Sequence, residues 1–281
     1  MPFILIKGQF YVTGYQPDGD SLRFRADKLS NWNKLEGRKV KITKNLAQLR
    51  FEAIDALETH YKGWHQPKKL GKGAADYLLK QAGFEDVIWG PSGIKVSSVK
   101  KDGMPGFVYS RMTEKYARPV CFVFAGNTAK KDGSKQFLGV NDLKKSLNYK
   151  LLAAGFAYPI YYDSLFSDFR NSMTLAVKQA RKADKGVWKG DKTSGVLVSS
   201  RNAVEEKYHF FPKLFRRIVE FTSKKSSFSI SGFLDYDALK KEKVEILSKG
   251  HSTHFDNLIK MQGNKVGLKY KPEDLMFTMT K

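Results

Sequence analysis

A single cysteine, Cys121, stands among the 281 residues. No disulfide can close within the chain, and no cysteine-based zinc site can form. Apolar runs are short: none approaches the roughly 20 residues that a membrane-spanning helix needs. The opening residues 1–12 lack a basic leader, a long apolar core and a small-residue cleavage site, so no secretion signal is read there and a cytoplasmic location is expected. Acidic residues are the other shortage, 28 against 50 basic ones, leaving a formal charge of +22. A surplus of that size is the footprint of a protein that meets a polyanion, because each cation near a phosphate releases condensed counterions. With 41% hydrophobic and 13% aromatic residues, the chain has material for a packed core and is not a disordered tail.

The first two-thirds alternate short apolar runs with turn signals and end in helical patterns. Residues 10–13 and 22–25 flank the turn Gln16-Pro17-Asp18-Gly19-Asp20, as in a hairpin. Residues 39–43, 49–54, 94–99 and 119–124 read as further strands. Helical spacing marks residues 72–82, stopping at Gly83, then 141–154, closed by Gly155, and 165–185, ended by Gly186. The segment 102–115 shows no period and reads as a loop. Residues 189–195 look like a boundary, followed by expected helices at 205–221 and 237–247 and a strand at 265–270. The expected fold is α+β: a five-stranded OB-type β-barrel with flanking helices over residues 1–190, and a small C-terminal α+β extension over 195–281.

Several residues have the chemistry to act on phosphate. Asp55 and Glu58 fall where an apolar strand gives way to a loop, and Asp18 and Asp20 add carboxylates in a tight turn. A hard cation such as calcium gathers several oxygen ligands from separate segments. Arg50 and Arg118 offer planar forks that bind phosphate oxygens and never lose their charge. His251 and His254 sit close together but read as incidental, and Phe210, Phe211, Phe215 and Phe221 as the packed face of a helix.

Three stretches together resemble a known series. Asp18-Gly19-Asp20-Ser21, then Arg50-x4-Asp55-x2-Glu58, then Lys115-Tyr116-Ala117-Arg118 are similar to the active-site motifs of staphylococcal-nuclease-like (thermonuclease) proteins. The likeness continues through residues 147–157 and Gly186-Val187-Trp188, covering about residues 8–190. It implies a calcium-dependent nuclease, with magnesium or another divalent ion as substitutes, that cuts DNA or RNA to leave 3′-phosphate and 5′-hydroxyl ends. It further implies that Asp20, Asp55 and the Ala56 backbone carbonyl hold the ion. Glu58 would activate water, Arg50 and Arg118 would clamp the phosphate, and Lys115, Tyr116 and Tyr161 would line the nucleotide pocket.

The chain also departs from the family pattern. Ala56-Leu57 replaces the usual Thr-Pro, Ala117 replaces a glycine, Pro119 follows Arg118, and Tyr162 and Asp163 compete for the place of a second pocket tyrosine. An alternative reading is a nucleic-acid-binding module that kept the fold without the chemistry. A third gives residues 195–281 the choice of partner, a protein or a nucleic-acid structure. No membrane partner is expected.

Overall fold

The computed structural model describes residues 2–225 and 227–279. Its main sheet is built from β1 (Phe3–Tyr11), β2 (Arg23–Ala26), β3 (Ile42–Thr43), β4 (Leu46–Gln48), β5 (Arg50–Phe51), β7 (Met104–Thr113) and β8 (Pro119–Ala125). They lie in the order β3-β4-β2-β1-β7-β8-β5, a curled half-barrel of seven strands within an α+β fold. Only Leu49 separates β4, near one edge, from β5 at the other, so the curl brings the two edges of the sheet back towards each other.

The longest strand, β7, lies where the sequence reads as a loop. It pairs with β1 over Ile4–Phe10 and with β8 over Pro119–Ala125. Pro105 and Gly106 hide its period, yet Gly106 is there for a packing reason. A Cβ at that position would fall 2.1 Å from the Phe10 ring and 2.8 Å from the Phe124 carbonyl oxygen. Tertiary pairing overrode weak local propensity.

Six of the seven β8 residues are buried, so this strand is covered on both faces and reads as a continuous apolar run. Phe122 packs edge-on against Phe3 and Phe169, with centroids 5.9 and 5.4 Å away. Phe169 belongs to α4 (Ser167–Lys182), which buries Phe169, Met173, Ala176, Val177 and Ala180 at helical spacing. Ahead of it come α1 (Lys68–Gln81), α2 (Val140–Leu143) and α3 (Leu147–Ala153). The expected single helix at 141–154 breaks at Ser146, whose hydroxyl donates to the Leu143 carbonyl and accepts the Tyr149 N–H, the usual work of an N-cap.

The expected strand 49–54 is likewise two pieces. After β5 the chain kinks at Ala53, with φ +67°, and resumes as β6 (Ile54–Ala56), which leaves the main sheet to pair with Ala157–Pro159. Asn148 of α3 holds the kink: its amide donates to the Glu52 and Cys121 carbonyls at 2.9 Å each and accepts the Val123 N–H. Leucine there would leave buried polar groups unmet. Asn148→Leu is expected to lower unfolding free energy by about 3 kcal/mol, roughly one per lost hydrogen bond, read by urea denaturation.

Beyond residue 195 the expected helix 205–221 is a short π-turn at Ala203–Lys207 followed by α5 (Pro212–Thr222). Pro212 begins α5, where a missing N–H costs nothing. The expected helix 237–247 gives only Asp237–Lys240 and then a strand, Lys243–Ile246. Val244 and Ile246 face inward between exposed or half-buried neighbours, a period of two. The strand expected at 265–270 is present as Lys265–Leu268. The late strand Leu275–Phe277 pairs in parallel with Tyr161–Tyr162, and buried side chains from both halves form one core cluster. The sequence boundary at 189–195 is therefore no gap in the packing. Among the described residues no helix is long and apolar enough to cross a membrane.

Candidate active site

The turn after β1 and the end of β6 meet through Gly19. A Cβ on it would lie 2.6 Å from the Ala56 Cβ and 2.8 Å from the Ala74 Cβ of α1, so only glycine lets the Asp18–Asp20 turn seat against β6. Ala56 donates its N–H to Asp20 Oδ2 at 3.2 Å, and Ser21 donates its hydroxyl to Asp18 Oδ1 at 2.6 Å. Burial raises the Asp20 carboxyl well above the usual carboxylate range, and the neighbouring charges of Asp18 and Asp55 push the same way. Asp18 is raised too, first by burial and then by Glu58, against the bond from Ser21. Crowded buried carboxylates of this kind mark functional sites.

Glu58 follows on the loop after β6. Burial, aided by the charges of Asp55 and Asp20, pushes it up to about 7, although Arg216 opposes the shift. Arg50, at the start of β5, keeps its charge: burial works against it, but Tyr162, Asp55 and Asp20 outweigh that cost. Its guanidinium lies over the Tyr162 ring at 5.1 Å.

Sequence reading missed a further residue. Arg216 of α5 enters the cluster as a fork on Asp55, Nη1 to Oδ1 and Nη2 to Oδ2 at 2.9 Å each, and its Nη1 also donates to Glu58 Oε1 at 2.6 Å. In this arrangement both oxygens of Asp55 are taken. Among the described residues no three His, Cys, Asp or Glu side chains are disposed to hold a metal ion, and this applies to His251 and His254 as well. As arranged, the donor set therefore does not fit calcium: a guanidinium stands where the ion's charge would be needed.

The remaining expected residues are distributed unevenly. Arg118 donates through Nε to Glu114 Oε1 at 3.2 Å, and the same oxygen accepts the N–H groups of Tyr116 and Arg118. Glu114 thus organises the turn and directs Arg118 to itself, with no hydrogen bond to the carboxylate cluster. Ala117 adopts φ +61°, the strained conformation that a glycine would relieve. Lys115 and Arg118 flank the exposed Tyr116 ring at 5.1 and 5.8 Å. This turn leads into β8, whose Val120 pairs with Arg50, so it lies at the same end of the sheet. Tyr161 is fully buried, bonded to Thr174, and belongs to the core. Tyr162 is the tyrosine beside Arg50. Alternation along a two-residue strand decides between them, and that register came from pairing with Leu275–Phe277, far away in sequence.

Next to the acidic turn lies a cavity of about 240 Å³ lined by Tyr11, Tyr15, Gln16, Arg23, Gln48 and His60 among others. Arg23 stacks over Tyr15 at 5.2 Å.

Raised acids fix the sign of a pH effect. The folded protein holds the Glu58 proton more tightly than the unfolded chain, so this contribution is complete below about 4.5 and is lost as pH rises through about 7. Stability is expected to decline between pH 5 and pH 8, with Glu58 accounting for up to about 3 kcal/mol at 1.36 kcal/mol per pKa unit. Urea unfolding of the protein and of Glu58→Gln across that range tests this, and parallel profiles would refute it.

Neither a protein-family model nor a curated protein matches this chain.

Proposed function

We propose that the chain is a nuclease of the staphylococcal-nuclease-like type, hydrolysing phosphodiester bonds of DNA or RNA, with its half-barrel taken as an OB-type scaffold. The observation that carries this reading is the gathering of Asp18, Asp20, Asp55 and Glu58 into one cluster from the β1–β2 turn and the end of β6, with Arg50 of β5 beside Asp20 and Asp55. A carboxylate poised near 7 suits removal of a proton from water at neutral pH. Arg50, with Tyr162 at its back, offers a fixed fork for a phosphate oxygen and for the charge that builds as water attacks phosphorus. The adjoining cavity suits a nucleotide of the same strand, because Tyr11, Tyr15 and Arg23 line it with aromatic and cationic side chains. The surplus of 50 basic over 28 acidic residues suits a polyanionic substrate. The setting expected is cytoplasmic and the products expected are 3′-phosphates and 5′-hydroxyls; a divalent ion such as calcium would require Arg216 to leave Asp55.

The test is cleavage of single-stranded DNA, duplex DNA and RNA by the full chain in calcium, magnesium or chelator, with product ends identified. One observation favours the second reading, a module that binds nucleic acid without cutting: Arg216 covers both Asp55 and Glu58. Salt-sensitive binding with no cleavage under any divalent ion would establish the module and end the nuclease proposal.

A further inference from the structure

Charge does not balance in the acidic cluster. Four carboxylates, Asp18, Asp20, Asp55 and Glu58, face two guanidiniums, Arg50 and Arg216, so full ionisation would leave negative charge uncovered. The cluster therefore still attracts cations, yet the oxygens best placed to receive one are held from within the chain. The anchoring of Arg216 is firm at its backbone. α5 buries Leu214, Phe215, Ile218 and Val219. Arg217 bonds Glu242 and Glu220, Lys213 pairs with Glu242, and Glu220 accepts the hydroxyl of Tyr61 at 2.5 Å. Tyr61 lies three residues after Glu58, so the same helix grips the loop that carries the proposed base. The end of the side chain, 22% exposed, is held by its bonds to Asp55 and Glu58.

We infer that Arg216 is a built-in competitor for the divalent ion, a guanidinium that must leave Asp55 and Glu58 before a cation can bind there. The inference rests on the nuclease reading and supplies its regulation. Arg216 holds both the Asp55 oxygens that an ion would need and the Glu58 oxygen that would take the proton, so its occupancy opposes ion and base alike. An incoming phosphodiester offers the fork an alternative partner of matching geometry. Substrate would thereby draw Arg216 away and open Asp55, making cation and nucleic acid bind with positive coupling.

Calcium titration by calorimetry into the full chain, Arg216→Met and Lys178→Met tests the competition, with DNA cleavage followed in parallel. Arg216→Met is expected to bind calcium at least ten-fold more tightly than the parent, and Lys178→Met, which removes one positive charge from the exposed side of α4, to bind as the parent does. Arg216→Lys keeps the charge but cannot fork across Asp55, and is expected to fall between. It also serves if the methionine variant does not fold. Unchanged or weaker calcium binding in the Arg216 variants overturns the competitor. Tighter binding with no cleavage by any form keeps the competitor and removes the nuclease, whereas cleavage with unaltered affinity does the reverse.

Discussion

Glu58→Gln is expected to slow nucleic-acid cleavage by about 10²–10⁴-fold, the range lost when a positioned general base is removed, while leaving the chain folded. Glutamine keeps the shape and can still meet Arg216, whose Nη1 bonds Glu58 Oε1 at 2.6 Å, but it cannot take a proton from water. The loss should fall on kcat rather than on KM, because the carboxylate acts on the attacking water and not on the bound strand. In the parent, activity is expected to rise with pH through the region of 7, since the ionised form is the competent one and burial pushes the group up to about 7. A glutamine variant that cuts at the parent's rate would remove Glu58 from the chemistry. One that is slow but shows the same rising limb would give that limb to another group.

The second large effect separates the two arginines that the sequence treats alike. Arg50→Lys is expected to cost about 10²–10³-fold, the loss seen when one preorganised donor to a developing charge is removed. A lysine keeps the charge but loses the planar fork that Tyr162 braces. Arg118→Lys is expected to change the rate less than about five-fold, since Arg118 is turned to the buried Glu114 through its Nε and makes no bond to the carboxylate cluster. Steady-state cleavage of one oligonucleotide by both variants measures this. Equal, large losses would show that Arg118 turns from Glu114 towards the phosphate when substrate arrives.

What could be read beforehand divides by range. Local signals gave the helix at Lys68–Gln81 and the long one at Ser167–Lys182, because their apolar spacing and terminal glycines act within a few residues. They missed β7, whose partner strand β1 is remote, Ile4 facing Ser110, and whose Pro105 and Gly106 look like loop residues. The same division runs through the site. Asp20, Arg50, Asp55 and Glu58 carry internal spacings that a motif can show. Arg216 lies 161 residues from Asp55 and belongs to a run, Lys213 to Arg217, that looks like the solvated side of an amphipathic helix. Only the coordinates show that this side is pressed on carboxylates. Sequence alone does not decide that Tyr162 rather than Tyr161 lies beside Arg50, for a similar reason: two adjacent tyrosines differ only by the face that a distant strand assigns them.

That distance of 161 residues between Asp55 and Arg216 also has a meaning in time. A ribosome adding roughly 5–20 residues each second needs about 8–32 s to travel from one to the other. Throughout that interval Asp55 lacks its partner from α5, and Tyr161–Tyr162 lacks the strand it pairs with. The carboxylate cluster and the parallel pairing of Tyr161–Tyr162 with Leu275–Phe277 are therefore completed only when nearly all of the chain has been made.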